Sequence, residues 1–127
     1  MHGAIFTRGP NDLKSTAIFV GGSDVGAGEK LMAAALVAML PKFGLRVSIM
    51  LDANGANTTA AAAVLAAARH LNLSQITAVV LAGTGPVGQR AARLLARQGA
   101  RVRVASRDRA KAAQVCDNLR TLIPDGQ

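Results

Sequence analysis

Cysteine and aromatic side chains are almost missing from this sequence. Cys116 is the one cysteine, tryptophan and tyrosine are absent, and Phe6, Phe19 and Phe43 are the three phenylalanines among 127 residues. A lone thiol excludes a disulfide scaffold. The shortage of aromatics removes the stacking platforms on which single-stranded nucleic acids are held. No apolar run reaches the roughly 18 residues needed to span a bilayer. No charged segment followed by an apolar stretch marks a secretory signal. The expected setting is therefore cytoplasmic, with neither membrane nor nucleic acid as partner. No His/Cys cluster has metal-ligand spacing, so no metal site is expected.

Acidic residues are also scarce, seven against fifteen Lys and Arg, for a net charge of +8. The imbalance is local. Residues 1–68 hold five basic and four acidic side chains, and residues 69–127 hold ten and three, with eight of those ten between Arg90 and Lys111. What the chain has in plenty is alanine, 26 residues, within a composition that is 50% hydrophobic. That excludes a disordered chain and suits helices packed closely on a sheet. The length fits one ordinary domain or a piece of something larger.

Short β-branched runs alternate with longer Ala/Leu-rich runs. Strands are expected at 16–20, 47–51, 77–82 and 102–105, and helices at 30–40, from Asn57 or Thr58 to about Leu71, at 86–98, and at 109 to about 119. Pro86 opens one helix and Gly99 follows its end, where each is favoured. The order β-α-β-α-β-α-β-α predicts an α/β fold of mostly parallel β-α-β units. Strands that read as continuous apolar runs are expected to be buried on both faces. A seam between two units is expected from Ala68 to Ile76, dividing the chain into 1–72 and 73–127.

The segment Val79-Val80-Leu81-Ala82-Gly83-Thr84-Gly85-Pro86-Val87-Gly88 places G-x-G-x-x-G between a strand and a helix. Gly83 permits a tight turn, Gly85 removes a side chain where backbone approaches a pyrophosphate, and Gly88 lets the helix pack closely. The helix N-terminus offers free N–H groups and a positive dipole end to phosphate. A dinucleotide is the implied ligand. About twenty residues on, an NAD site usually carries an acid for the ribose 2′-hydroxyl, whereas an NADP site supplies Arg for the 2′-phosphate. Here Ser106-Arg107-Asp108-Arg109-Ala110-Lys111 puts Ser106 at that position with Arg107 and Arg109 beside it. NADP is the preferred cofactor. A one-residue shift would bring Asp108 to the ribose, so NAD stays possible.

A second glycine-rich segment, Gly21 to Lys30, follows the first strand. It is not a P-loop, because Glu29 separates Gly28 from Lys30 and Leu31 replaces the hydroxyl residue that motif needs. A third segment, Leu51-Asp52-Ala53-Asn54-Gly55-Ala56-Asn57-Thr58-Thr59, sets a carboxylate, two amides and two hydroxyls at a strand's end. Such a cluster can bind a heterocycle, but the same residues also make turns and N-caps. Arg90, Arg93 and Arg97 share one helix face and are expected to be solvated. His70 is read as a surface residue, His2 as terminal, and Cys116 as packing.

Together these segments resemble the NADP-dependent methylene-tetrahydromethanopterin dehydrogenases of methylotrophic bacteria. The likeness runs through Ile5-Phe6-Thr7-Arg8-Gly9, Ser15 to Gly22, Asp24, Gly28-Glu29, Leu51-Asp52, Asn54-Gly55, Asn57 to Ala62 and Val79 to Gly88, and covers nearly all of the chain from Gly3 to about Gln114. It implies a partial N-terminal catalytic domain followed by the first half of a Rossmann domain, with the pterin in the cleft between them. It implies an enzyme of one-carbon metabolism that oxidises methylene-tetrahydromethanopterin, or methylene-tetrahydrofolate, to the methenyl form. Asp24, Asp52, Asn54, Asn57 and Thr58 are the implied ligands of the reduced pterin. Gly83, Thr84, Gly85, Pro86, Val87, Gly88, Ser106, Arg107 and Arg109 are those of the cofactor. Hydride loss from an N–CH₂–N carbon leaves a cation shared by both nitrogens, so no catalytic acid or base is required. The family pattern extends beyond both ends, which implies an internal fragment. A half sheet leaves an unpaired edge that favours a homo-oligomer. The alternative is a non-catalytic nucleotide-binding remnant or assembly module.

Overall fold

The computed structural model describes Gly3 and residues 7–124, and its four short strands and five helices form an α/β fold. His2 and the Ile5-Phe6 pair lie outside the described residues. The chain divides into two compact units, Met1–Gly55 and Ala56–Gln127.

In the first unit a single helical turn, Pro10–Leu13 (α1), leads to β1 (Ala17–Val20), helix α2 (Val25–Val37) and β2 (Ser48–Leu51). The two strands pair in parallel, with Phe19 opposite Met50 and Val20 opposite Leu51. Leu13 and Val47 form the centre of the core, and Ile18, Met39, Leu45 and Ile49 pack on them. Helix α2 begins five residues before the expected start at Lys30. Asp24 caps it by accepting from the Ala27 N–H at 2.9 Å, a bond that offsets part of the entropy cost of the glycines that follow. Gly28 is buried, and a Cβ there would come within 3.0 Å of both Ala53 and Leu51. The glycines read as loop are therefore partly helix, chosen for close packing on β2.

The second unit contains α3 (Ala56–Ala68), β3 (Thr77–Val80), α4 (Pro86–Arg97), β4 (Arg101–Val104) and α5 (Arg109–Leu122). Strands β3 and β4 are parallel, Thr77 opposite Arg101 and Val80 opposite Val104. Ala56, Ala60 and Val64 are buried at four-residue spacing along α3, and α3 packs on α4, whose Ala92, Leu95 and Ala96 are buried. Val64, Leu73, Leu95 and Ala100 centre this core. Because α3 packs on α4, the compact units part at Gly55, ahead of the 72/73 division drawn from sequence.

Two sequence expectations are corrected. The strands are not buried on both faces. Each alternates, and one sheet face carries exposed Phe19 (64%) and Met50 (51%) in the first unit and Val79 (57%) in the second. A run of apolar residues reads alike whether one face or two are covered. The arginine row of α4 is not uniformly solvated either. Arg97 is exposed, but Arg90 and Arg93 are half-buried, and Arg93 Nε is enclosed without a hydrogen-bond partner. Among the described residues no helix is long and apolar enough to cross a membrane.

Candidate functional site

Strand β3 ends at Val80, and the turn from Leu81 to Gly85 carries the chain into α4. Ala82 sits in the left-handed region at φ 51°, which costs a residue with a Cβ about 1–2 kcal/mol. The turn closes with Gly85 N–H on the Ala82 carbonyl at 3.0 Å, and it is tied to the next strand by Gly83 N–H on the Ala105 carbonyl at 3.0 Å. A Cβ on Gly83 would lie 2.6 Å from Val104 and 2.9 Å from the Val80 carbonyl oxygen. A Cβ on Gly88 would lie 2.7 Å from the Ala82 oxygen and 2.8 Å from the Gly83 Cα. These two glycines bring strand, turn and helix into contact that no side chain could share. The Gln89 side chain fixes the turn further, donating to the Thr84 carbonyl at 2.7 Å.

Gly85 differs from both. It is the N-cap of α4, no side chain caps the helix, and a Cβ added there would meet only the Ala82 oxygen at 3.4 Å. No side-chain acceptor thus occupies the start of α4, as an anion there would require. The residues present fit a pyrophosphate at this point.

Beside it, Leu81, Ala82, Thr84, Gly85, Ala105, Ser106 and Arg107 line one groove. The Thr84 and Ser106 hydroxyls are 3.2 Å apart, and Ser106 Oγ accepts the Asp108 N–H at 3.2 Å. Asp108 turns to its own helix: Oδ1 accepts the Lys111 N–H at 3.1 Å, and Oδ2 lies 3.6 Å from Lys111 Nζ. Arg107 is exposed on the groove wall, and Arg109 opens α5 with its side chain exposed. Of the nine residues assigned to a cofactor, Thr84, Gly85, Ser106 and Arg107 share the groove. Gly83 and Gly88 underlie the turn, and Pro86 and Val87 begin α4.

The residues assigned to a pterin fall in both units. In the first, Asp24 caps α2, Asp52 N–H bonds the Val20 carbonyl at 2.9 Å, and Asn54 N–H bonds the Gly22 carbonyl at 2.6 Å. Asn54 occupies the left-handed region at φ 54°, which Asn tolerates. These contacts gather the polar loops at the carboxyl ends of β1 and β2. In the second unit, Asn57 and Thr58 lie in the first turn of α3, and Asn57 Oδ1 accepts Arg90 Nε at 2.5 Å. Sequence reasoning missed Arg90. No local pattern marks a bond between residues 33 positions apart.

His70 is exposed, and half-buried Cys116 lines a cavity with Ala96, Val102, Val104, Leu119, Ile123 and the charged Arg120. Among the described residues there is no group of three or more His, Cys, Asp or Glu that could hold a metal.

Residues 1–54 match the family model described as methylene-tetrahydromethanopterin dehydrogenase, N-terminal. Over 119 residues the chain is 49% identical to the "Bifunctional protein MdtA" of Methylorubrum extorquens strain AM1. That alignment takes in 92% of this chain and 41% of the relative, so the chain spans well under half of the relative's length. By this match, residues 1–54 resemble the N-terminal part of the methylene-tetrahydromethanopterin dehydrogenases.

Proposed function

We propose that this chain forms part of an oxidoreductase that moves a hydride from methylene-tetrahydromethanopterin, or methylene-tetrahydrofolate, to NADP. The observation that carries the reading is the uncapped start of α4. Its N-cap is Gly85, no side chain caps its amides, and a groove walled by Ser106 and Arg107 adjoins it. The backbone of Gly83, Thr84, Gly85, Pro86, Val87 and Gly88 holds the pyrophosphate. Ser106, Arg107 and Arg109 receive the 2′-phosphate, for which a guanidinium is the fitting partner. Asp108 favours NADP over NAD because its carboxylate is engaged at the start of α5.

Asp24, Asp52, Asn54, Asn57 and Thr58 supply the hydrogen bonds that orient the reduced pterin. NADP, when bound, supplies the hydride acceptor. The protein's part is to hold donor carbon and acceptor close and aligned, which alone lowers a barrier substantially. In this reading residues 1–72 carry the pterin side, and 73–127 carry the first half of a Rossmann domain. The kinship over residues 1–54 and the 49% identity support it. The test is NADPH formation from methylene-tetrahydromethanopterin by a protein carrying this chain at its relative's full length. Substrate-dependent NADPH supports the reading. None, from a folded protein that binds NADP⁺, removes the hydride-transfer claim.

A second reading, a nucleotide-binding module that works by self-association, is favoured by the uncovered faces at Phe19, Met50 and Val79. Sedimentation of the chain over a concentration series distinguishes a monomer from a homo-oligomer.

A further inference from the structure

Arg90 has a place in the fold that its spacing with Arg93 and Arg97 conceals. It stands one turn into α4 and is half-buried. Its Nε donates to Asn57 Oδ1 at 2.5 Å, and its Nη1 donates to the Pro86 carbonyl at 3.0 Å. One guanidinium therefore joins the first turn of α3 to the first turn of α4. A guanidinium has donors only, so the amide atom facing it must be the oxygen, which fixes the orientation of the Asn57 amide. Charge-assisted bonds of this kind are short and directional. Lysine, a single point charge, cannot hold Asn57 and the Pro86 carbonyl in the same fork geometry.

Pro86 directly follows Gly85, and Gln89 in the same turn holds the Thr84 carbonyl. Pro86 carries no N–H, so the first amide of α4 that could meet a pyrophosphate is that of Val87. That amide is in the same peptide group as the carbonyl that Arg90 grips, and Arg90 also grips Asn57. We propose that Arg90 is a positioning residue that couples dinucleotide binding at the Gly83–Gly88 turn to the presentation of Asn57 to the reduced pterin. The inference rests on the function proposed above and names the link between its two ligands.

The experiment measures tetrahydrofolate affinity of the chain with and without saturating NADP⁺. The unaltered chain is expected to bind tetrahydrofolate about tenfold more tightly when NADP⁺ is present, within the usual range of coupling between two sites. In Arg90→Lys that ratio falls to within about twofold of unity, while the NADP⁺ affinity stays within about twofold of its original value. Asn57→Ala loses the coupling too, and the double variant loses no more than Asn57→Ala alone. A merely structural role would lower both affinities and leave their ratio unchanged. A ratio preserved in Arg90→Lys overturns the proposal, as does independent binding of the two ligands in the unaltered chain. Failure of the unaltered chain to bind either ligand is a different result. It removes the proposed function, and the coupling with it. The Arg90 Nε–H resonance gives a second readout. It should move when NADP⁺ alone is added, and a static resonance contradicts the link.

Discussion

The turn after β1 and the turn after β3 are built from the same materials, an apolar parallel strand, several glycines and a helix of twelve or thirteen residues. They finish differently. After β1 the helix is capped from within, by the Asp24 carboxylate on the Ala27 amide. After β3 the N-cap is Gly85, with no side chain on the helix amides. An acid in the first position satisfies the helix and repels phosphate, whereas a bare backbone leaves the amides to be satisfied from outside, by water or an anion. The glycines differ as well. A Cβ on Gly83 or Gly88 would meet backbone at 2.7–2.9 Å, and on Gly83 also the Val104 side chain at 2.6 Å, whereas one on Gly28 would meet side chains alone, at 3.0 Å, that have some room to yield. Glycine content alone does not separate a ligand cradle from a packing device. The atoms opposite each missing Cβ do.

The contrast breaks most severely at Gly88. Gly88→Ala should destabilise the second unit by about 1–3 kcal/mol, because the new methyl meets backbone that cannot move aside. Gly28→Ala in the first unit should cost less, and chemical unfolding of each variant compares them directly. Next in size is Gly85→Asp, which gives the second turn the first turn's cap. The Cβ fits with only one contact, at 3.4 Å. The helix should therefore form, while NADP⁺ affinity falls on the order of a hundredfold from charge repulsion at close range. Affinity unchanged in a titration would mean that no phosphate sits there. The smallest effect is expected from Asp24→Ala, which removes the cap of α2. It should lower stability by about 1 kcal/mol and leave NADP⁺ binding as it was.

The four strands were legible in the sequence to within two residues at each end, because β-branched runs between glycine-rich turns admit few other structures. The fingerprint turn was legible for the same reason, and Gly83 and Gly88 meet the contacts their spacing implies. The start of α2 was not. Gly26 and Gly28 depress helix propensity, and the opposing signal, the cap at Asp24, reads equally as a turn residue. The bare sheet faces were hidden too, since alternation is invisible in runs such as Ala17-Ile18-Phe19-Val20, where both faces are apolar. Arg90 was misread because a helix-face pattern describes only its own helix. The partner that withdraws it from solvent is Asn57, on another helix.

The central claim is that the start of α4, with Ser106 and Arg107 beside it, is a site for NADP. The measurement that tests it most directly is a pair of equilibrium titrations, NADP⁺ and NAD⁺, into the chain and into Arg107→Ala. The account predicts saturable NADP⁺ binding about tenfold or more tighter than NAD⁺, with that advantage largely lost in Arg107→Ala, as expected for a charge-assisted pair. No saturable binding of either dinucleotide, or an equal loss for both in Arg107→Ala, would contradict it.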